Sequence, residues 1–173
     1  LFIDGRQSSS TEEKADLLRR GPVDLVPFDE IRNNPGSILD AGALGKSLLN
    51  SYATSWQGLV TMDTSRYVLH FWEVTGVPAV WERYVTAPSE TGPSTGRQYF
   101  LRWDSGHGAL QDSRAHNYNP SSALGKRGVL VGQSSLRVTL YNGEMFNDAS
   151  APVIPMNQDD LDAVWQYLQS PEY

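Results

Sequence analysis

Glycine and proline divide the second half of the chain into β-type runs too short for anything but small sheets: GRQYFLRW at 96–103, GVLVGQ at 128–133, LRVTLYNGEMF at 136–146 and APVIP at 151–155. Aromatic and β-branched residues suit a pleated, half-buried surface, and GRQYFLRW alternates most cleanly between Gly96 and Gly106. YNGE at 141–144 carries the Asn-Gly pair of a tight hairpin. Pro152 and Pro155 confine the last run to an edge or to its own ends, because proline cannot donate to a ladder. RYVLHFWEV at 66–74 has strand composition, although its dense apolar content also fits a buried helix. NQDDLDAVWQYLQS then reads as an amphipathic helix capped by Asn157 or Asp159, with Leu161, Val164, Trp165 and Leu168 on one face.

Upstream, SSSTEEKADLLRRG at 8–21 predicts a helix capped by Ser10, with Glu13 as capping-box partner and Gly21 as its stop. VDLVPF is a short extended piece, DEIRNN a helical turn ended by Pro35, and SLLNSYAT at 47–54 another short helix. The expectation is an α+β fold: short helices in the N-terminal part, a small mixed or antiparallel sheet in the second half, and a closing C-terminal helix. Residues 1–55 form the helical part and 56–173 the α+β part, as one compact domain or a fragment of a larger chain. LFIDG, beginning at Leu1, reads as a strand entering a turn, so a longer polypeptide is expected. The polar stretch at 104–128 reads as one long loop, of a length that is functional or disordered.

At 173 residues and 39% hydrophobic, such a chain buries a core without staples. It has no cysteine, which excludes disulfides, thiolate zinc sites and a cysteine nucleophile and suits the cytoplasm. No apolar run approaches the roughly 18 residues of a membrane span, so no membrane partner is expected. The net charge of −6 argues against general nucleic-acid affinity. Residues 61–140, however, carry 8 basic and 6 acidic side chains, whereas 141–173 carry 6 acidic and no basic ones.

No catalytic or metal motif stands out. DAGALGKS at 40–47 ends like a phosphate loop but has Asp40 where the required glycine would stand. His70, His107 and His116 lack ligand spacing, and no Gly-x-Ser-x-Gly elbow positions a serine. Three segments instead collect side chains suited to DNA. WQGLVTMDTSRY offers Gln57, Thr61 and Arg66, with Gly58 allowing close approach to a ligand; GRQYFLRW offers Arg97, Gln98 and Arg102; GKRGVLVGQSSLR offers Lys126, Arg127, Gln133, Ser134, Ser135 and Arg137. Arginine forks onto guanine, glutamine onto adenine, and lysine, serine or threonine onto phosphates.

The succession GALGKSLLNSYATSWQGLVTMDTSRYVLHFWEV, GRQYFLRWDSGHG, GKRGVLVGQSSLRVTLYNGEMFNDASAPVIP and LDAVWQYLQSPEY resembles the C-terminal target-recognition region of adenine-specific (N6) DNA methyltransferases. More narrowly, it is similar to the large single-chain restriction-modification and phage-defence type, a bacterial class. Gln57, Gly58, Thr61, Asp63, Arg66, Tyr67, Trp72 and Glu73 match the family phrase, whereas Met62 and Thr64 stand where the family has Gly and Asn. The closing Ser-Pro-Glu-Tyr also matches a recurrent family phrase.

The resemblance implies a chain that binds double-stranded DNA for a partner catalytic domain upstream in the same polypeptide, which would bring S-adenosylmethionine. No cofactor is expected within this chain. An Asn-Pro-Pro-Tyr-type adenine clamp is missing, since NNPG at 33–36 and NYNPSS at 117–122 lack the second proline and the aromatic. The six carboxylates of the tail are expected to face away from DNA. The competing expectation is a protein- or carbohydrate-binding α+β module with an aromatic platform, drawn from five Trp and eight Tyr. Trp72, Trp81 and Trp165 fall in apolar runs and are expected in the core.

Overall fold

The computed structural model describes residues 8–23, 48–76, 79–112, 116–117 and 123–170. The fold is α+β, and the chain divides into two compact units, 1–51 and 52–173. In the first unit α1 spans Thr11–Arg20. Its first turn leaves backbone N–H groups without helical acceptors, and Ser10 Oγ accepts from Glu13 N at 3.1 Å. Glu13 reaches back one residue further than a capping box requires, taking the Ser9 N–H at 2.9 Å and its hydroxyl at 2.8 Å. These bonds hold the Glu13 carboxyl below its ordinary range. LFIDG, residues 24–28 of VDLVPF, DEIRNN, NNPG and DAGALGKS lie outside the described residues, as do residues 118–122 of NYNPSS and the Pro-Glu-Tyr of the last phrase.

The second unit contains two four-stranded sheets and a two-stranded ribbon. The first sheet is antiparallel, in the order β1 (Ala53–Ser55), β10 (Ser150–Pro155), β7 (Gly128–Gly132), β8 (Val138–Tyr141). The second is mixed, in the order β3 (Val68–His70), β5 (Tyr99–Arg102), β4 (Trp81–Val85), β9 (Met145–Phe146), with β9 parallel to β4. β2 (Val60–Thr61) and β6 (His116–Asn117) form the ribbon. Among the described residues the unit also has three short helices: α2 (Thr64–Tyr67), α3 (Ala109–Asp112) and α4 (Leu161–Tyr167).

Several local expectations give way to pairing. SLLNSYAT is not a helix: only Leu49–Ser51 form a 3-10 turn, while Ala53–Ser55 pair with Val153–Pro155. β10 is therefore an interior strand, not an edge. Pro152 is accommodated because β1 reaches only to Val153, leaving one side of the chain unpaired at the proline. YNGE does not close a hairpin, since Tyr141 ends a strand of the first sheet and Met145 begins one of the second. Gly143 still adopts the left-handed φ of +86° that the motif foretells, and there it turns the chain between sheets. RYVLHFWEV is split among α2, β3 and a turn at 71–73, and the long polar loop contains α3 and β6.

Val85, Leu130, Tyr141, Phe146 and Ile154 are buried together, joining the two sheets face to face. Val129, Val131 and Val153 alternate onto the other face of the first sheet, on which α4 packs with Leu161, Val164 and Leu168 buried. Trp165 is half-buried at that helix. The far face of the mixed sheet carries Tyr84, Leu101 and Met145 beneath Leu59, Tyr67 and Leu110. Gly58 serves this packing, not a ligand: it is buried, and a Cβ there would overlap the Asn147 carbonyl. Among the described residues no helix is long and apolar enough to cross a membrane.

Candidate nucleic-acid interface

The basic residues singled out in the sequence do not share one face. Arg97 is turned inward, with its side chain 23% exposed and its Nε on Glu144 Oε1 at 2.8 Å. Its remaining donors meet Thr139 Oγ1 at 3.2 Å, the Thr95 carbonyl at 3.4 Å and the Leu140 carbonyl. Glu144 in turn accepts the Asn142 N–H at 2.8 Å. With its fork occupied by the protein's own acceptors, Arg97 is a clamp between the entry to β5 and the turn after β8.

Lys126 and Arg127 precede β7, whereas Gln133, Ser134, Ser135 and Arg137 form the exposed hairpin at its other end, about 20 Å away at strand rise. A one-face reading of residues 125–137 is thereby corrected. Lys126 Nζ lies 5.8 Å from the Trp56 ring. Arg127 offers its carbonyl to Gln158 Nε2 at 3.1 Å. β10 runs antiparallel to β7, so the acidic turn that follows β10 must lie next to the residues that enter β7. Asp159 and Asp160 therefore share a neighbourhood with the basic corner, contrary to the expectation that the tail faces away. At the other end Arg137 donates to the Ser89 carbonyl.

Gln57 and Arg66 are exposed, Arg66 lying 5.2 Å from the Tyr67 ring. Thr61 Oγ1 is 2.9 Å from Thr64 Oγ1. Gln98 is half-buried, its carbonyl receiving the Phe71 N–H at 3.0 Å. Arg102 is exposed on β5, its Nε 3.5 Å from Asp104.

Arg102 has a companion that the sequence reading passed over. In the mixed sheet Trp81 stands opposite Arg102 and Arg83 opposite Phe100. Period-two alternation puts all four on one face. Further along β4 and β9, the same face buries Val85 and Phe146 against the first sheet; at Trp81 and Arg83 it emerges into an open cleft of about 710 Å³. Glu82, Phe100, Trp103, Leu124 and residues 142–145 complete the lining. The Arg83 side chain makes no hydrogen bond or ion pair among the described residues. Trp-x-Arg in WERYV was the available signal, since alternation alone places Trp81 and Arg83 together. Two cations and two aromatic rings on one pleated surface can meet phosphates and stack on bases.

A second aromatic group lies where β3 ends. The Glu73 carboxylate accepts the His70 backbone N–H at 2.8 Å and approaches Nδ1 at 3.2 Å, closing HFWE into a turn. That backbone bond above all holds the Glu73 carboxyl below its ordinary range. Phe71 and Trp72 are 56% and 63% exposed, which corrects the expectation that Trp72 is core. Trp81 is only half-buried.

Among the described residues no group of three or more His, Asp or Glu converges as a metal site. In comparison with known proteins, the chain matches no family model, and no curated protein shows significant similarity to it.

Proposed function

We infer that this chain reads duplex DNA for an adenine-N6 methyltransferase of the large restriction-modification or phage-defence type. The upstream domain of the same polypeptide would supply S-adenosylmethionine and the chemistry. The reading rests on the order of segments, which resembles that of the family. The observation that carries it structurally is the placement on one sheet face of two cross-strand pairs, Trp81 with Arg102 and Arg83 with Phe100, whose arginines are exposed. Paired strands fix the backbone positions from which the two arginines project, and their exposed guanidinium groups are placed to reach phosphates or a guanine edge.

The test is a titration of the chain with duplex DNA across a range of salt. Affinity should fall linearly on a log-log plot, and Arg83→Ala or Arg102→Ala should each reduce the slope by about one if it meets a phosphate. Removal of a base-reading arginine would cost roughly 1–3 kcal/mol instead. Binding that ignores salt, or that survives both substitutions unchanged, overturns the assignment. Salt-independent binding would favour the second reading, an aromatic platform for protein or carbohydrate, for which exposed Phe71 and Trp72 speak.

A further inference from the structure

The turn after β3 carries rings arranged as a ladder that begins in the core and ends in solvent. Tyr99 packs on the cluster of Tyr84, Leu101 and Met145. His70 lies over it with centroids 4.5 Å apart, and Trp72 stacks on His70 at 4.2 Å with planes 19° apart. Phe71 stands at 82° to the indole, 5.0 Å away, so the two outermost rings form the walls of a corner. Three bonds hold that corner in place: the two made by the Glu73 carboxylate, and Glu73 N–H to the His70 carbonyl at 3.0 Å. Two adjacent exposed aromatic rings make a contiguous apolar patch of the kind that marks a binding site.

We propose that the Phe71–Trp72 corner is a stacking seat for a single extruded or unpaired nucleobase. This rests on the DNA-reading function. His70 is tilted by 38° to Tyr99, whereas Trp72 lies on His70 as a stacked pair, so the natural next member on the indole is another planar ring. The Glu73 side chain, next in sequence after the two rings, is 47% exposed. Its negative charge disfavours a phosphate there, so the ligand must present a neutral plane while its charged backbone stays at a distance. A base turned out of its stack meets both conditions. Stacking on a preformed aromatic is tolerant of base identity, so the seat would hold an orphaned or extruded base without adding sequence preference.

The experiment compares three DNAs with the full chain: an intact duplex, the same duplex with one bulged adenine, and the same bulge as an abasic spacer. The bulged base should bind roughly tenfold more tightly than the abasic bulge, as one base stacked on an aromatic implies. Trp72→Ala should abolish that preference while leaving intact-duplex affinity unchanged; Trp72→Phe should retain part of it. The indole is mostly in solvent, so truncation leaves the fold intact, as circular dichroism would verify. Equal affinity for bulged and abasic DNA alongside salt-dependent duplex binding overturns the seat and leaves the DNA reading standing. So does a preference that survives Trp72→Ala. Binding to none of the three overturns both.

Discussion

Arg97→Ala separates a structural arginine from a DNA-contacting one. The guanidinium and the Glu144 carboxylate are only 23% and 13% exposed, and they join the entry to β5 to the turn between β8 and β9. Removing one member of a buried pair costs about 3–5 kcal/mol, because the other charge is left without its counterion in a poorly solvated site. The residual exposure here admits some water, and Asn142 N–H remains on the carboxylate, so about 2–4 kcal/mol is the appropriate range. For a unit of this size that lowers Tm by roughly 10 °C. Urea unfolding followed by tryptophan fluorescence would measure it. Arg97→Ala combined with Glu144→Gln should recover part of the loss, since the stranded charge is gone, with a coupling of about 1–3 kcal/mol. A cost below about 0.5 kcal/mol together with weakened DNA binding would refute the clamp and return Arg97 to the interface.

Two further substitutions probe the packing that presents the sheet. Gly58→Ala should destabilise by about 2 kcal/mol or more, because its Cβ would meet the Asn147 carbonyl and the backbone must shift; thermal unfolding would show it. Tyr84 is held with its phenol pKa well above the ordinary value, first by burial and then by Asp148. A raised folded-state pKa means that the associated stability is fully present below about pH 10, the unfolded value, and is lost as pH rises beyond it. Denaturation midpoints should therefore fall above about pH 10, and Tyr84→Phe should flatten that alkaline limb. A limb unchanged in the phenylalanine variant would assign it to another group.

Much of the fold was legible because it is governed by short-range chemistry. Ser10 and Gly21 bound α1, Asn157 accepts the Asp159 N–H at 3.2 Å ahead of α4, and Leu161, Val164 and Leu168 form that helix's buried stripe, as their spacing requires. GVLVG and VTLY are strands because their β-branched and apolar residues suit little else. The candidate interface was legible only in part. Arg102 was visible as a charged residue in an alternating run, and Arg83 was equally visible, yet nothing local says that Arg102 faces Trp81 across a strand pair.

Sequence alone determined the class of fold, the helix caps, the left-handed turn at Gly143 and the strong bias of charge between the middle and the tail, all set within a few residues of chain. Tertiary pairing determined where those pieces point. It folded Arg97 inward onto Glu144, set Arg127 beside the acidic turn after β10, sent Tyr-Asn-Gly between two sheets and lifted Trp72 into solvent. The physical reason is that a side chain's partners are supplied by strands distant in sequence, and local propensity carries no record of which strand that will be.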